Sequence, residues 1–298
     1  MSSDHVSDIS GISGEAAPPP PPIEPAEPST FRKALRQKRF TVGLGITLLL
    51  VAFVIFAPYF APYGENEVAG PPYSDVGLFG TDYLGQDVWS RVMYGGQEIL
   101  FIAVLGTLLG MVLGIAIGVV AAYGGGWWDE VIMRLNDVVL SFPQILLALV
   151  VLTAVEQPSV WILIVLVGVS HAPRVARLAR GVALGIVSRD FVIAAEALGE
   201  KRSRVILAEV LPNMNAPLLA EGGLRLTYSI GLVGSLGFLG FSTDPGAANW
   251  GQMIQENRLG LATQPWAVLA PVLIIAIFAI GTNLMADGIA QVAQRGDT

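Results

Sequence analysis

Six long apolar stretches constrain this chain more than any other feature of its sequence. Each has about the 20 residues that an α-helix needs to cross the roughly 30 Å hydrocarbon core of a bilayer. They run from Val42 to Ala61, Ile99 to Ala122, Val138 to Ala154, Val160 to Val187, Ala216 to Phe241 and Trp266 to Met285. With 53% hydrophobic and only 14% charged residues, the chain is too apolar for an ordinary water-soluble domain. We therefore predict an all-α integral membrane protein with about six transmembrane helices.

The fourth stretch is the least uniform of the six. Arg174, Arg177 and Arg180 recur every third residue in its second half. Charged side chains are costly in hydrocarbon, so this end is expected to lie among protein or lipid headgroups. In the third and sixth stretches, Pro143 and Pro271 remove backbone hydrogen-bond donors, and we expect both helices to kink there.

Basic residues indicate which loops face the cytoplasm. They cluster before the first stretch and after the fourth, at Arg32, Lys33, Arg36, Lys38, Arg39, Arg189, Lys201, Arg202 and Arg204. The segments 63–98 and 242–265 contain only two basic residues between them, Arg91 and Arg258. By the positive-inside rule, the two clusters are cytoplasmic and these two segments are external loops. An even number of spans then places both termini in the cytoplasm.

The chain divides into five segments on this pattern. Residues 1–30 are acidic, rich in proline and without apolar periodicity, which predicts a disordered tail. The run of prolines in this tail leaves an adaptor ligand as an alternative. The other segments are a basic cytoplasmic segment with the first helix (31–62), an external loop (63–98), a core membrane domain (99–289) and a cytoplasmic tail (290–298). The net charge of −7 disfavours nucleic acid as a partner.

Small residues mark one face of the second stretch. Gly106, Gly110, Gly114 and Gly118 recur every fourth residue and so share a helix face. Another helix can approach such a face closely. That helix belongs either to the same bundle or to a second subunit.

Two charged residues, Glu221 and Arg225, lie four positions apart on the fifth stretch. They share a helix face and are expected to pair, because lone charges are costly at this depth. The pair is either a structural ion pair near the inner interface or part of a translocation path. Arg134 is likewise spaced to pair with Glu130 and Asp137 on one helix, which is typical of a solvated ion network.

Motifs for catalysis are absent from the sequence. Without a G-x-x-x-x-G-K-[ST] phosphate loop, the chain is not expected to hydrolyse ATP itself. The two histidines, His5 and His171, lie in the tail and the fourth stretch, and no H-E-x-x-H occurs, so a metal site is not expected. An enzyme or a passive channel would need an intramembrane catalytic pair or a polar stripe through several spans, and we find neither. We therefore expect a non-catalytic membrane subunit with no cofactor of its own.

The segment 188–213, between the fourth and fifth stretches, is long, helix-forming and partly apolar. Ala194, Ala195 and Ala197 provide a small, smooth helical surface. Gly199 is expected to end that helix, and Pro212 to stop a second helix before the fifth stretch. Such a segment either docks a partner or lies as an interfacial helix on the bilayer.

The order of residues in this segment resembles the cytoplasmic loop of ABC importer permeases, in which Ala-Ala precedes Gly and, after a fixed interval, Leu-Pro. The loop of that family forms a coupling helix that sits in a groove of the ATPase subunit. Ile193 stands where the family usually has Glu. The resemblance implies contacts to an ATPase from Phe191, Ala194, Ala195, Glu196, Leu198, Gly199, Leu211 and Pro212.

A longer resemblance, from Phe31 to Gly288, is to the dipeptide, oligopeptide and nickel branch of these permeases, and to its C-type permease subunit. Residues 80–91, Gly-Thr-Asp-Tyr-Leu-Gly-Gln-Asp-Val-Trp-Ser-Arg, match the most diagnostic stretch of that branch, with Gln86 where Arg is usual. The resemblance implies the type I ABC importer permease fold and a location in a prokaryotic cytoplasmic membrane.

The same resemblance implies partners and a cargo. A homologous second permease subunit would complete the path, two ATPase subunits would bind ATP and magnesium, and an external solute-binding protein would deliver the cargo. Short peptides, moved by alternating access, are the expected cargo. Nickel complexes, glutathione-like peptides and oligosaccharides are alternatives on the same machine.

Overall fold

The computed structural model of the chain describes residues 34–155, 158–244 and 246–295. The predicted N-terminal tail, 1–30, lies outside the described residues. Within these ranges the regular secondary structure is helical, and the only β-type pairings are two isolated bridges, Val68 with Gln86 and Thr81 with Asp87. The prediction of an all-α architecture is confirmed.

Twelve α-helical segments occur in the described part of the chain. They are α1 (Lys38–Phe56), α2 (Val88–Tyr94), α3 (Gln97–Gly124), α4 (Gly126–Leu140), α5 (Gln144–Thr153), α6 (Val160–Val187), α7 (Asp190–Ala197), α8 (Arg202–Val205), α9 (Leu211–Asn213), α10 (Asn215–Phe238), α11 (Trp250–Asn257) and α12 (Trp266–Arg295). A 3₁₀ turn extends α1 to Phe60, and a π-helical turn, Ile206–Val210, joins α8 to α9.

Four helical segments of the described chain are long and apolar enough to cross a membrane: Lys38–Phe60, Val88–Gly124, Val160–Val187 and Trp266–Val292. The fourth predicted stretch coincides with α6 at both ends. Helix α12 continues to Arg295, so the predicted tail at 290–298 begins inside a helix and not after it. Pro271 lies within α12 and Pro173 within α6 without breaking either helix.

The third predicted stretch, Val138 to Ala154, is wrong as a single straight span. Helix α4 ends at Leu140, and α5 starts at Gln144 with its axis turned by 77°. Pro143 occupies the position before α5, where its missing N–H costs no hydrogen bond and its ring excludes a continuous helix. The expected kink is therefore a full break. Helices α4 and α5 are called the bent pair below, and they add a fifth membrane span if the two together make one crossing.

The fifth predicted stretch corresponds to α10, which differs from the other long helices in composition. Its 24 residues are sufficient for a span, but the charges of Glu221 and Arg225 and its many small residues lower its hydropathy. It packs against α3 and α12, which shield it. The expected number of six is reached only when the bent pair and α10 both cross the membrane.

Among the described residues, the most extensive helix pairing is between α3 and α6. The four glycines of α3 form this contact. A Cβ added at Gly106 would lie 2.6 Å from Val167 Cγ1, and one at Gly118 would lie 2.8 Å from Ala179 Cβ. Both separations are shorter than van der Waals contact, so only glycine allows the two backbones to approach this closely. Of the two alternatives for this face, the structure shows a helix of the same bundle.

Candidate functional site

The segment between α6 and α10, residues 188–213, projects from one end of the bundle and is called the coupling segment below. Its base is anchored by Val192, Val205 and Val210, which are buried in one apolar cluster with the ends of α3 and α6. Its outer surface is left uncovered: Leu198 is 85% exposed, and Phe191 and Ile193 are also exposed. Exposed large apolar side chains around a smooth alanine surface are typical of a protein docking site.

The end of α7 is formed as predicted. Gly199 has φ +81°, a conformation that strains any residue with a side chain. Its N–H donates to the Glu196 carbonyl at 2.9 Å, and the N–H of Glu200 donates to the Ala195 carbonyl at 3.2 Å. This pair of hydrogen bonds is a Schellman motif, which satisfies the last carbonyls of α7 and turns the chain sharply. Leu198 is thereby displayed at the tip of the segment.

The prediction for Pro212 is wrong in detail. Pro212 lies in the first turn of α9, directly after the π-helical turn, and the helix ends at Asn213. The helical run continues from the π-helical turn, where the Leu211 N–H donates to the Ile206 carbonyl, into α9, so the missing N–H of Pro212 falls at an irregular turn and does not stop the run there. Leu211 and Ala195 are half-buried against the apolar cluster, whereas Pro212 and Ala194 are exposed.

Side-chain polar contacts tie the coupling segment to itself and to the bundle. The Tyr123 hydroxyl at the end of α3 donates a hydrogen bond to Glu196. Arg204 and Glu200 form an exposed ion pair at 3.2 Å. Glu196 therefore contacts the bundle through α3, and Ser188 donates to the Gly185 carbonyl of α6 at 3.4 Å.

Three arginines of α6, called the arginine ladder below, each contact the bent pair. Arg174 donates to Gln144 Oε1 at 3.3 Å, and Arg177 donates to Asp137 Oδ1 at 2.6 Å. Arg180 donates from Nε and Nη2 to the two carboxylate oxygens of Asp129, both at 2.5 Å. This half of α6 therefore contacts other helices of the protein. Of the two expected surroundings, protein or lipid headgroups, the structure shows protein.

The ladder also corrects the predicted partners of Arg134. Arg134 contacts Glu130 at 3.4 Å, as the spacing predicts, but Asp137 pairs with Arg177 on the neighbouring helix. The reason is geometric: Arg177 reaches Asp137 at 2.6 Å, a shorter and stronger charge-assisted contact than the spacing along α4 provides.

Glu221 and Arg225 form the expected ion pair at 2.7 Å, with side chains 12% and 10% exposed. The Arg225 guanidinium also lies 4.9 Å from the centre of the Tyr228 ring, a favourable cation–π distance. The structure thus places the pair against its own bundle, and its use as part of a path stays a prediction.

A buried chain of hydrogen bonds that the sequence did not indicate crosses the bundle at His171. The His171 ring is hydrogen-bonded through Nε2 to Ser229 Oγ at 2.9 Å, and Ser229 is hydrogen-bonded to Thr107 Oγ1 at 2.8 Å. On the other side, Gln144 donates to Ser170 Oγ at 2.9 Å. These residues come from α3, α5, α6 and α10, so no local spacing could have revealed them.

The opposite end of the bundle is covered by residues 63–96 and 242–265, called the loop cap below. Arg91 is 3% exposed and contacts Asp82 at 2.5 Å and Glu256 at 3.3 Å. Trp250 donates from Nε1 to the Val92 carbonyl at 2.8 Å. Burial raises the pKa of Tyr83 above its usual value near 10, and the Glu256 and Asp82 carboxylates act in the same direction, so its phenol stays neutral.

Among the residues that the structure describes, no three His, Cys, Asp or Glu side chains are grouped as a metal site requires. The features that remain are a long-helix membrane bundle, a capped end and an exposed helical segment at the other end. These define the class of multi-pass helical membrane proteins with an exposed helical segment at one end.

Comparisons with known proteins agree with this class. Residues 114–295 match the family model of binding-protein-dependent transport system inner membrane components, and residues 29–75 match the N-terminal transmembrane domain of oligopeptide transport permease C. The chain therefore belongs to the inner-membrane permeases of ABC importers, in their dipeptide and oligopeptide branch.

Curated relatives resemble the chain over most of its length. The dipeptide transport system permease protein DppC of Alkalihalophilus pseudofirmus is 33% identical over 87% of this chain and 86% of its own. A putative peptide transport system permease of Brucella suis is 34% identical over 88% and 90%. The glutathione transport system permease GsiD of Shigella dysenteriae is 33% identical over 87% of both.

A solved structure shares the fold. A chain of the MetNI methionine ABC transporter in an inward-facing conformation superposes with a TM-score of 0.53 at 18% identity, covering 67% of this chain and 96% of its own. The type I importer fold expected from the sequence is confirmed.

Proposed function

We propose that this chain is one of two transmembrane subunits of an ATP-driven importer for short peptides, and that its coupling segment docks an ATPase subunit. The observation that carries the proposal is the contrast within that segment. Its base is buried among the ends of α3 and α6, while Leu198, Phe191 and the Ala194 surface are uncovered. A segment that only lay on the bilayer would have no need of a fixed, rigid base.

The proposed topology places the coupling segment and both termini in the cytoplasm and the loop cap outside. The basic residues around α1 and the coupling segment support this orientation. The chain itself would bind no cofactor, because ATP and magnesium would be held by two ATPase subunits. A homologous second permease would complete the path, and a solute-binding protein would dock on the cap side.

The proposed mechanism is alternating access. Closure of the ATPase subunits on ATP would displace the coupling segment, and the buried valines at its base would transmit that displacement to α6 and α3 as a rigid body. The path between the two permeases would then open to the other side. No step of this mechanism requires a catalytic residue in this chain.

Short peptides are the proposed cargo because the relatives include permeases named for dipeptides and peptides. A relative named for glutathione transport makes a glutathione-like peptide the second candidate. Nickel complexes and oligosaccharides stay alternatives expected only from the family resemblance. The affinity of the cognate solute-binding protein for dipeptides and for glutathione, measured by calorimetry, separates the two leading candidates.

The docking proposal is tested by placing a charge on the tip of the coupling segment. Leu198→Arg puts a guanidinium at the centre of the proposed interface, and Leu259→Arg is the matched control, since Leu259 is 87% exposed in the loop cap. Neither leucine is packed, so both variants should fold. We expect Leu198→Arg to reduce copurification of the ATPase subunits at least tenfold, and Leu259→Arg to leave it unchanged.

Deletion of Phe191 to Gly199 is the stronger form of the same experiment. The expected result is a membrane-inserted chain that no longer retains ATPase subunits. Unchanged retention of the ATPase subunits by the Leu198→Arg variant or by the deletion variant would overturn the docking proposal.

A further inference from the structure

The bent pair α4–α5 is attached to the bundle by few buried side chains. Helix α4 buries Asn136, and α5 buries Ala148 and Leu152. The Asn136 amide donates to the Pro173 carbonyl of α6 at 2.7 Å. Most of the remaining surface of the pair is exposed, so apolar packing alone does not account for its position.

The arginine ladder supplies the missing attachment. Every arginine in the second half of α6 that recurs at the three-residue spacing finds its partner on the bent pair. Each arginine with its partner is called a rung of the ladder. The Arg174–Gln144 rung continues into the bundle, because Gln144 also donates to Ser170 and contacts His171 Nδ1 at 3.4 Å. A continuous polar track therefore joins α4 and α5 to one side of α6.

Helix α6 leads directly into the coupling segment. It ends at Val187, and α7 starts at Asp190 after two residues. Between Pro173 and Val187, α6 is one uninterrupted helix that contains all three arginines of the ladder, so a displacement of α7 is carried along it past each of them. Whatever is fastened to those rungs is displaced with it.

We propose that the arginine ladder makes the bent pair move with α6, so that Arg177 and Asp137 are positioning residues that couple ATP hydrolysis to transport. This inference rests on the proposed function and deepens it. The rung Arg177–Asp137 is the most informative of the three, because its side chains are 61% and 57% exposed. Breaking this exposed rung leaves the bidentate Arg180–Asp129 contact and the buried Asn136–Pro173 hydrogen bond in place, so the chain should still fold while the attachment of the bent pair to α6 is weakened.

A charge swap is the first experiment, made in the complete transporter reconstituted in vesicles with its ATPase subunits and solute-binding protein. Arg177→Asp and Asp137→Arg each place two like charges on the rung, and the double variant restores opposite charges in reversed order. We expect each single variant to assemble normally and to consume at least fivefold more ATP per peptide transported. The double variant should return to within twofold of the wild-type ratio.

Covalent replacement of the rung is the second experiment, and the chain suits it because it contains no cysteine. Arg177→Cys and Asp137→Cys together remove the ion pair, and a short bis-methanethiosulfonate linker then joins the two helices. We expect the unlinked double variant to be uncoupled, the linker to restore transport, and reduction to remove it again. A linker that blocks transport would overturn the proposal, because α4 and α6 would then have to move apart during transport.

The two proposals fail in different ways. Loss of ATPase copurification in the Leu198→Arg test concerns docking, whereas the ladder variants are expected to retain the ATPase subunits. Wild-type ATP consumption per peptide in both single variants, or a double swap that assembles but stays uncoupled, would overturn the ladder proposal while leaving docking intact. If a single variant fails to assemble, the linker experiment decides by whether transport returns.

Discussion

The loop cap and the coupling segment lie at the two ends of α10, and they are held in different ways. The cap is closed by buried polar contacts between distant parts of the chain, such as Arg91 with Asp82 and Glu256. The coupling segment is held at its base by three buried valines and leaves its outer surface bare. The cap is thus fixed by polar contacts within this chain, whereas the coupling segment is fixed mainly at its base.

The difference shows where each end can tolerate change. Buried charges cost free energy unless every partner is present, so the cap depends on each of its polar residues. An exposed surface over a small apolar base tolerates substitution, but its function depends on what contacts it. Substitutions of the buried polar residues of the cap should therefore affect folding, and substitutions at the tip of the coupling segment should affect assembly.

The largest effect is expected from removing the central cation of the cap. Arg91→Ala leaves the fully buried Asp82 carboxylate without its partner, which typically costs about 3–5 kcal/mol. Arg204→Ala is the control in the coupling segment, where the arginine is 73% exposed and the expected change is within about 0.5 kcal/mol. Thermal unfolding of the purified chain in detergent measures both. Equal stability of the two variants would contradict the claim that the cap depends on buried charges and the coupling segment does not.

A smaller effect is expected from the base of the coupling segment. Val192→Ala removes buried methyl groups from the cluster with the ends of α3 and α6, at a cost of about 1–2 kcal/mol. Leu198→Ala removes a larger side chain from the exposed tip and should cost almost nothing. Hydrogen exchange across α7 should accelerate in the first variant alone. Acceleration in the second would mean that the tip is packed in the free chain.

The smallest effect is expected at the end of α7. Gly199→Ala forces a side chain into the left-handed backbone region, at a cost of about 1 kcal/mol that falls on the Schellman turn. Gly185→Ala is the control, because a methyl group there meets no atom within 4 Å and the helix gains from alanine. The first should loosen the turn in hydrogen-exchange measurements, and the second should stabilise α6 slightly.

The long helices were predictable from sequence because hydropathy is a local property. Both bounds of α6 and the helix end at Gly199 follow from composition and from the conformational freedom of glycine. The 77° break at Pro143 was foreseen only as a kink, since a proline shows where a helix is interrupted but not the direction the chain takes next.

Contacts between distant parts of the chain were not predictable in the same way. Asp137 was assigned to Arg134 by its spacing, yet it pairs with Arg177, which is 40 residues further along. The hydrogen bonds of His171 to Ser229 and Ser229 to Thr107 join three helices and leave no periodic signal in any of them. Local spacing reports only partners on the same helix, and the partners here lie on others.

The central claim is that the coupling segment lies in the cytoplasm and is covered there by an ATPase subunit. Labelling of single cysteines tests this claim most directly. In this cysteine-free chain, Leu198→Cys and Leu259→Cys each introduce one exposed thiol for a membrane-impermeant maleimide. We predict that the first is labelled only in inside-out vesicles and is protected when ATPase subunits are bound, while the second is labelled only from outside. Labelling of Leu198→Cys from the outside, or equal labelling with and without bound ATPase, would contradict the account.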